Sequence, residues 1–333
     1  MNYFICQEWS ITKNNHAGMS HLCSLLKEKY PDEVAVKNVP YYEFKIIKHT
    51  RPFYHITYFF IAIEFLIKVK KDDNVFLMEY MHPYRNQKLI AKIIKLFKPD
   101  VKIFGLAHLT PLDMDRFYQS NTKLVSWTNK VDKVLTLGSS LTSYLKSRGA
   151  SNVKTLFHYV DLDYFQPEKR ASNTRLQAII MGNMKRNTED IGNIAKECSE
   201  IDFVYCKGNS VRDTTELEKL SNMKVLGFLP EDELKNVMNQ SDISLNLMYD
   251  TIGSNVITSS MAIGLVMIVN DVGSIRDYCT EESAFLCKNT DEIIESLHYC
   301  ANNRGVLKKY KQISRQNALK LSSENFYKLL VAL

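Results

Sequence analysis

The sequence predicts an α/β protein built from two doubly wound, parallel-sheet domains in tandem. Short apolar runs alternate with amphipathic runs of helical period from one end of the chain to the other, as parallel strands do when their connections cover both faces of a sheet. The alternation restarts after a polar, proline-bearing stretch, Asp161 to Arg175, of the kind found at domain boundaries. The chain has 333 residues, too many for one ordinary core and suited to two domains of about 150 each.

In the first half, NYFIC reads as a strand before the helix HAGMSHLCSLLKEKY, and NVFLMEY as a strand before NQKLIAKIIKLF. VKIFGLAH is the next strand, VDKVLTLG precedes the helix SSLTSYLKSRG, and VKTLFHY closes the series. In the second half LQAIIMG leads into TEDIGNIAKECS, IDFVYCKG into DTTELEKL, MKVLGFLP into EDELKNVMNQ, and DISLNLM into an uncharged stretch that ends in the strand LVMIVND. The expected boundaries are 1–160, a linker at 161–175, 176–308, and helices over 309–333 that can cross back to the first domain. Two Rossmann-like domains would face each other across a cleft at the carboxyl ends of both sheets, where such folds bind ligands.

Composition narrows the class. With 45% hydrophobic and 24% charged residues, the chain reads as soluble and globular rather than disordered. Seven scattered cysteines, with no C-x-x-C pair, argue against a disulfide framework or zinc site and for a reducing compartment. MNYFICQEW lacks the basic leader and long apolar core of a signal peptide, so a cytoplasmic location is expected. Pro52 to Val69 is the most apolar segment, but it contains His55, Glu64 and Lys68. A span needs about 20 mostly apolar residues and tolerates a carboxylate poorly. The segment therefore reads as an amphipathic or core helix, or as one lying on a membrane.

Charge divides unevenly. The first 170 residues carry 25 Lys and Arg against 16 Asp and Glu, and the remainder is net acidic. Arg85 to Asp100 sets Leu89, Ile90, Ile93, Ile94, Leu96 and Phe97 at helical spacing against Lys88, Lys92, Lys95 and Lys98. That basic amphipathic pattern, with Lys45, Lys48, Arg51, Lys68, Lys70 and Lys71, suits acidic lipid headgroups as well as an ordinary solvated face. No recognition-helix or aromatic strand motif accompanies it, so nucleic acid is not an expected partner.

Chemistry concentrates at three turns. Asp250 to Asp271 has no charge between its ends. Gly253 can turn the chain, Ser254 or Asn255 can cap a helix running to Gly264, and Ser259 and Ser260 add hydroxyls. A capped helix start offers free N–H groups and a positive dipole end to a phosphate. Asn270 to Tyr278 repeats the logic, with Gly273 as the turn and Ser274 as a cap. Met181 to Asn187 ends a strand at Gly182 and presents Lys185 and Arg186, which can neutralise a diphosphate leaving group.

These stretches, in this order from about residue 124 to 290, resemble glycosyltransferase family 4, the glycosyl transferases group 1, of GT-B architecture. The resemblance implies transfer from a UDP- or GDP-sugar, with retention of configuration and no bound metal or other cofactor. It places Lys185 and Arg186 near the diphosphate, Ser254 and Asn255 where backbone amides meet the distal phosphate, Gly18 at a turn bordering the donor, and His108 in the catalytic cleft; with the turns read above, Gly182, Asn183, Gly253, Ser259 and Gly273 complete the expected donor-binding set. The family keeps two glutamates with seven residues between them. This chain has Thr251 and Ser259 at those places, with Asp250 beside the first and able to stand in for it. Asp161-Leu162-Asp163 is expected to be a hinge element rather than a D-x-D metal site. The expectation is a cytoplasmic, membrane-peripheral glycosyltransferase acting on a glycan or lipid-linked acceptor in cell-surface polysaccharide or lipopolysaccharide assembly. A degenerate scaffold of the same fold and a nucleotide-sugar epimerase are the alternatives.

Overall fold

A computed structural model describes residues 1–9, 15–42, 50–82, 85–169, 174–182 and 185–333. Asn183, Lys45 and Lys48 lie outside the described residues. The chain divides into two compact units, one formed by Met1–Phe157 with Phe326–Leu333 and the other by His158–Asn325.

The first unit runs β1 (Asn2–Gln7), α1 (Met19–Lys29), β2 (Val34–Val39), α2 (Arg51–Lys68), β3 (Asn74–Tyr80), α3 (Gln87–Phe97), β4 (Lys102–Ala107), α4 (Pro111–Phe117), α5 (Asn121–Thr128), β5 (Lys133–Thr136), α6 (Ser139–Ser147) and β6 (Val153–Thr155). All six strands pair in parallel, in the order β2-β1-β3-β4-β5-β6. Successive connections leave β1 and β3 toward opposite edges, so the strand order reverses between them. Phe4, Phe76 and Phe104 lie on three neighbouring strands and stack ring on ring, at 4.8 and 4.9 Å between centroids.

The second unit runs β7 (Gln177–Met181), α7 (Ile191–Glu197), β8 (Asp202–Cys206), α8 (Thr215–Glu218), β9 (Met223–Leu226), α9 (Glu231–Gln240), β10 (Ile243–Asn246), α10 (Asn255–Ile263), β11 (Val266–Asn270), a 3₁₀ turn (Ile275–Asp277), β12 (Ala284–Cys287), α11 (Thr290–Asn302) and α12 (Arg304–Leu319). α13 (Ser323–Val331) follows, and its residues from Phe326 onward belong to the first unit. The parallel order β12-β11-β10-β7-β8-β9 is doubly wound, with its reversal between β7 and β10. Ile180, Phe203, Leu245 and Ile268 from four strands pack with Ile194, Ile293 and Leu297 from covering helices in one closed core. The seven cysteines are free and buried.

Two features depart from the sequence reading. β2 and β12, absent from the expected strands, lie at sheet edges, where fewer apolar residues are needed; Lys37 and Asn38 interrupt the first, and the second is four residues long. The helix α2 is apolar on both faces. Tyr54, Tyr58, Ile61, Ala62 and Phe65 form its buried stripe, while Ile56, Phe59, Phe60, Ile63 and Ile67 face solvent, Ile67 at 81% exposure. Among the described residues no helix is long and apolar enough to cross a membrane.

Lysines of α3 and of its C-cap are engaged within the protein. Lys88 donates to Ser126 Oγ at 2.9 Å, Lys95 pairs with Asp132 at 2.7 Å, and Lys98 donates to the Val69 carbonyl. Arg85, which opens the basic stretch in the sequence, is buried.

Candidate functional site

In the second unit the loops after β7 and β10 leave the sheet at its reversal, the place where a doubly wound fold opens a crevice for ligands. They are joined to each other. Asn187 N–H donates to the Leu247 carbonyl at 3.0 Å, Tyr249 N–H donates to the Lys185 carbonyl at 3.1 Å, and Arg186 and Met248 form an antiparallel bridge. This short ladder holds the residues after Gly182 against those leading to α10.

Gly182 has φ 79° and Lys185 φ 55°, a left-handed pair flanking the turn. The conformation is easy for glycine but costs a lysine roughly 1–2 kcal/mol. Strain of that kind persists where surrounding bonds overdetermine the backbone, and here the Lys185 carbonyl is held by Tyr249. Arg186 folds back toward the strand end, its Nε donating to the Met181 carbonyl at 3.3 Å. A side-chain carbon added to Gly182 would lie 3.9 Å from both Arg186 Nε and Val256 Cγ2. Gly182, Arg186 and the first turn of α10 therefore converge. Burial lowers the Arg186 guanidinium to about 10. It stays charged at neutral pH, and a cation shielded from water acts more strongly on an anion than an exposed one.

α10 begins at Ser254, whose Oγ accepts the Ile257 N–H at 3.3 Å. It ends at Gly264, with φ 80°, where the Leu265 N–H bonds the Ser260 carbonyl. The exposed Asn255 and half-buried Ser254 lie at its start, while Ile257 to Ile263 are buried. The serines within the helix do not face the cap as expected. Ser259 Oγ donates to the Asn255 carbonyl at 2.6 Å, and Ser260 Oγ lies 2.8 Å from Ser244 Oγ in the core.

The loop after β11 braces this helix start. Ser274 N–H donates to the Thr251 carbonyl at 2.7 Å. Gly273 has φ 56°, and a carbon on it would stand 2.3 Å from the Thr251 carbonyl and 2.4 Å from Asp250 Oδ1. Asp250 is thus buried with its carboxylate against the Gly273 turn. Gly253 has φ 96°, and its missing side chain leaves room for the Tyr278 ring. The Tyr278 hydroxyl accepts the His158 N–H at 2.8 Å. Ser274 makes no side-chain cap, and the element after it is only the three-residue 3₁₀ turn. This loop is a brace for its neighbour rather than a second capped helix.

In the first unit Gly18, with φ 91°, is the residue before α1. His108 follows β4, half-buried, with its Nε2 2.5 Å from the Met78 carbonyl. A carbonyl only accepts, so Nε2 carries the proton and Nδ1 keeps the lone pair. Burial lowers the pKa of His108 and takes that of His82 to about 4, with Arg85 and His108 adding repulsion at His82. Beside them Glu79 is buried in β3. Gln87 holds it from both sides, donating to Glu79 Oε2 at 3.1 Å and accepting the Glu79 N–H at 3.1 Å. Asp161 Oδ1 accepts the N–H groups of Asp163 and Tyr164 at 3.1 Å each, a turn cap within the Asp-Leu-Asp stretch. The sequence reading did not single out Glu79, His82 or Gln87, although all follow or end a strand at the sheet's carboxyl edge.

Burial raises the Glu79 carboxyl from its ordinary 4.5 to about 7. The folded state therefore disfavours its ionisation while the unfolded state does not. Its contribution to stability is present below pH 4.5 and is lost as pH rises through 7, by on the order of 3 kcal/mol. Urea denaturation of Glu79→Gln is expected to lack this loss, so the variant gains on the parent between pH 5 and pH 8. Parallel stability profiles for the two chains would refute the buried-carboxylate account.

Comparison with known proteins identifies the unit that carries the stitched loops. Residues 174–303 match the family model for glycosyl transferases group 1. The matched stretch lies within the second unit, which is similar to that family over those residues. Solved structures of similar fold include sucrose-phosphate synthase from Thermosynechococcus elongatus, at 10% identity, TM-score 0.75 and 99% of both chains covered. The lipopolysaccharide outer core galactosyltransferase WaaB matches at 12% identity and TM-score 0.70 over the whole of both chains. Anabaena Alr3699/HepE, solved in complex with UDP-glucose, matches at 11% identity and TM-score 0.71, over all of this chain and 99% of that one. At such identity the likeness concerns the fold, which is GT-B. No curated protein sequence matches.

Proposed function

We propose that the chain moves a sugar from a nucleotide diphosphate sugar to a glycan or lipid-linked acceptor in cell-surface polysaccharide or lipopolysaccharide assembly. The observation that carries this reading is the reversal point of the second sheet, where Arg186 and the open start of α10 are held together by the ladder between residues 185–187 and 247–249. Backbone N–H groups at Ser254 and Asn255, the α10 dipole and the Arg186 and Lys185 cations supply positive potential without bulk. Such a site receives the donor's phosphates and stabilises the charge that grows on the nucleotide as the glycosidic bond breaks. Asp250, fixed against Gly273, shapes the loop carrying the helix start; the first domain binds the acceptor, and His108 acts there through Nδ1. Transfer is retaining and needs no metal, since positioning and leaving-group stabilisation carry the barrier. Gly182 borders the donor.

A thermal-shift series over UDP- and GDP-sugars, followed by product analysis with a labelled donor, tests this. A donor-specific shift and a new glycoside are expected. Free epimer without glycoside would indicate an epimerase. No shift and no donor hydrolysis would indicate a scaffold, the reading favoured by Thr251 and Ser259 standing where the family has glutamates.

The first domain docks on the inner face of the plasma membrane through the outer face of α2. Phe59, Phe60, Ile63 and Ile67 are exposed there, and aromatic and branched apolar groups partition into the headgroup boundary. The excess of Lys and Arg in the first 170 residues adds attraction to anionic lipid. Phe59→Ser with Phe60→Ser is expected to reduce cosedimentation with phosphatidylglycerol-containing vesicles at least tenfold while leaving UDP-sugar shifts intact. Unchanged cosedimentation would remove α2 as the contact.

A further inference from the structure

Arg85 is 7% exposed. Its guanidinium carbon lies 4.0 Å from the centre of the Tyr54 ring, 5.6 Å from Trp9 and 5.7 Å from Tyr41. No described residue accepts a hydrogen bond from its side chain, its Nε is enclosed without a partner, and no described carboxylate lies within ion-pair distance. A buried ion costs several kcal/mol, whereas a cation over an aromatic face recovers about 0.5–2 kcal/mol. Three rings therefore leave a deficit that a hydrogen-bonding anion would remove. Glu79 is near enough to feel the charge of Arg85, but Gln87 holds its carboxylate.

The position matters as much as the deficit. Trp9 lies in the loop after β1 and Arg85 in the loop after β3, the two strands between which the first sheet reverses. Their contact spans the reversal point, the place on a doubly wound sheet where ligands bind. Trp9 is 40% exposed, so the aromatic wall around Arg85 is open to solvent at that side.

We propose that Arg85, walled by Trp9, Tyr41 and Tyr54, is a specificity-determining residue that recognises an oxyanion, phosphate or carboxylate, on the sugar acceptor. This rests on the reading of the first domain as the acceptor domain of a transferase. The planar guanidinium suits either anion, since it can donate two parallel N–H bonds.

The chain has two tryptophans, Trp9 and Trp127, so a Trp127→Phe background makes Trp9 emission a local reporter. In that full-length background, titration with glycerol phosphate, galacturonate and neutral galactose is expected to change Trp9 emission for at least one anion and not for galactose. Response to glycerol phosphate alone assigns a phosphoryl acceptor, and response to galacturonate alone an acidic sugar. Adding Arg85→Gln is expected to weaken the responding anion at least tenfold, with Arg85→Lys intermediate. Absence of any response in the Trp127→Phe chain overturns the proposal without recourse to an Arg85 variant, as does full affinity in Arg85→Gln. A UDP-sugar thermal shift measured on the same samples separates the two readings. If that shift persists without an anion response, the donor site stands and the acceptor inference fails. If the shift is absent in every chain, the transferase reading fails on its own.

Discussion

Gly273→Ala is expected to destabilise the second domain by about 3–5 kcal/mol and to abolish the donor-dependent thermal shift. The added carbon would lie 2.3 Å from the Thr251 carbonyl oxygen, 2.8 Å from its nitrogen and 2.4 Å from Asp250 Oδ1, at a residue with φ 56°. Two of those atoms are backbone, so the clash cannot be relieved by a rotamer change. Relief requires moving the backbone at Thr251, in the loop after β10, which lies three residues before the cap of α10 and is bonded to Ser274. Gly208→Ala is the proper comparison. That residue also has positive φ, at 60°, but nothing lies within 4 Å of an added carbon, so only the conformational cost of about 1–2 kcal/mol applies. Chemical denaturation of both variants checks the account. Equal losses would show that the contact between the loops after β10 and β11 is not what Gly273 protects.

Arg186→Ala is expected to lower kcat/KM for the nucleotide-sugar donor by about 10²–10³ with little loss of fold stability. The side chain makes one long hydrogen bond to the Met181 carbonyl, so truncation leaves few broken contacts within the protein. Its charge, raised in effect by burial, lies beside Gly182 and the first turn of α10. Steady-state kinetics distinguish its roles. A fall confined to KM means equal binding of ground and transition states, and a fall in kcat means stabilisation of the departing diphosphate. Lys185→Ala is expected to lose less, because its carbonyl and not its side chain joins the ladder to Tyr249. Activity of Arg186→Ala within twofold of the parent would place the phosphates elsewhere.

Much of the architecture was legible because buried strands of a parallel sheet are nearly pure apolar runs. LQAIIMG and LVMIVND stand out for that reason, and both are flanked by a strand on either side. VAVKNV and AFLC do not, since an edge strand buries less and tolerates Lys37 or a short run. Turn chemistry was equally visible. Gly253, Gly264 and Gly273 all have positive φ, and Ser254 caps α10. Long-range pairings were not legible. Nothing in the composition of KRN and LMY says that they form a ladder, that Ser259 bonds its own helix, or that Arg85 leaves the basic face of α3 for an aromatic enclosure. Those outcomes depend on which loops the strand order brings side by side, which local periodicity does not encode.

The return of the chain to its first domain bears on how the protein is made. Tyr327 receives an amide hydrogen from Asn2 at 2.8 Å, donates its own to Glu33 at 2.9 Å, and lies face to face with Tyr30 at 4.4 Å. The amino-terminal strand and the turn before β2 thus acquire partners that the ribosome adds some three hundred residues later. The second unit is contiguous in sequence, whereas the first lacks part of its core until Phe326–Leu333 has been added. The first unit therefore cannot be completed until the second has been synthesised, although it was begun before it.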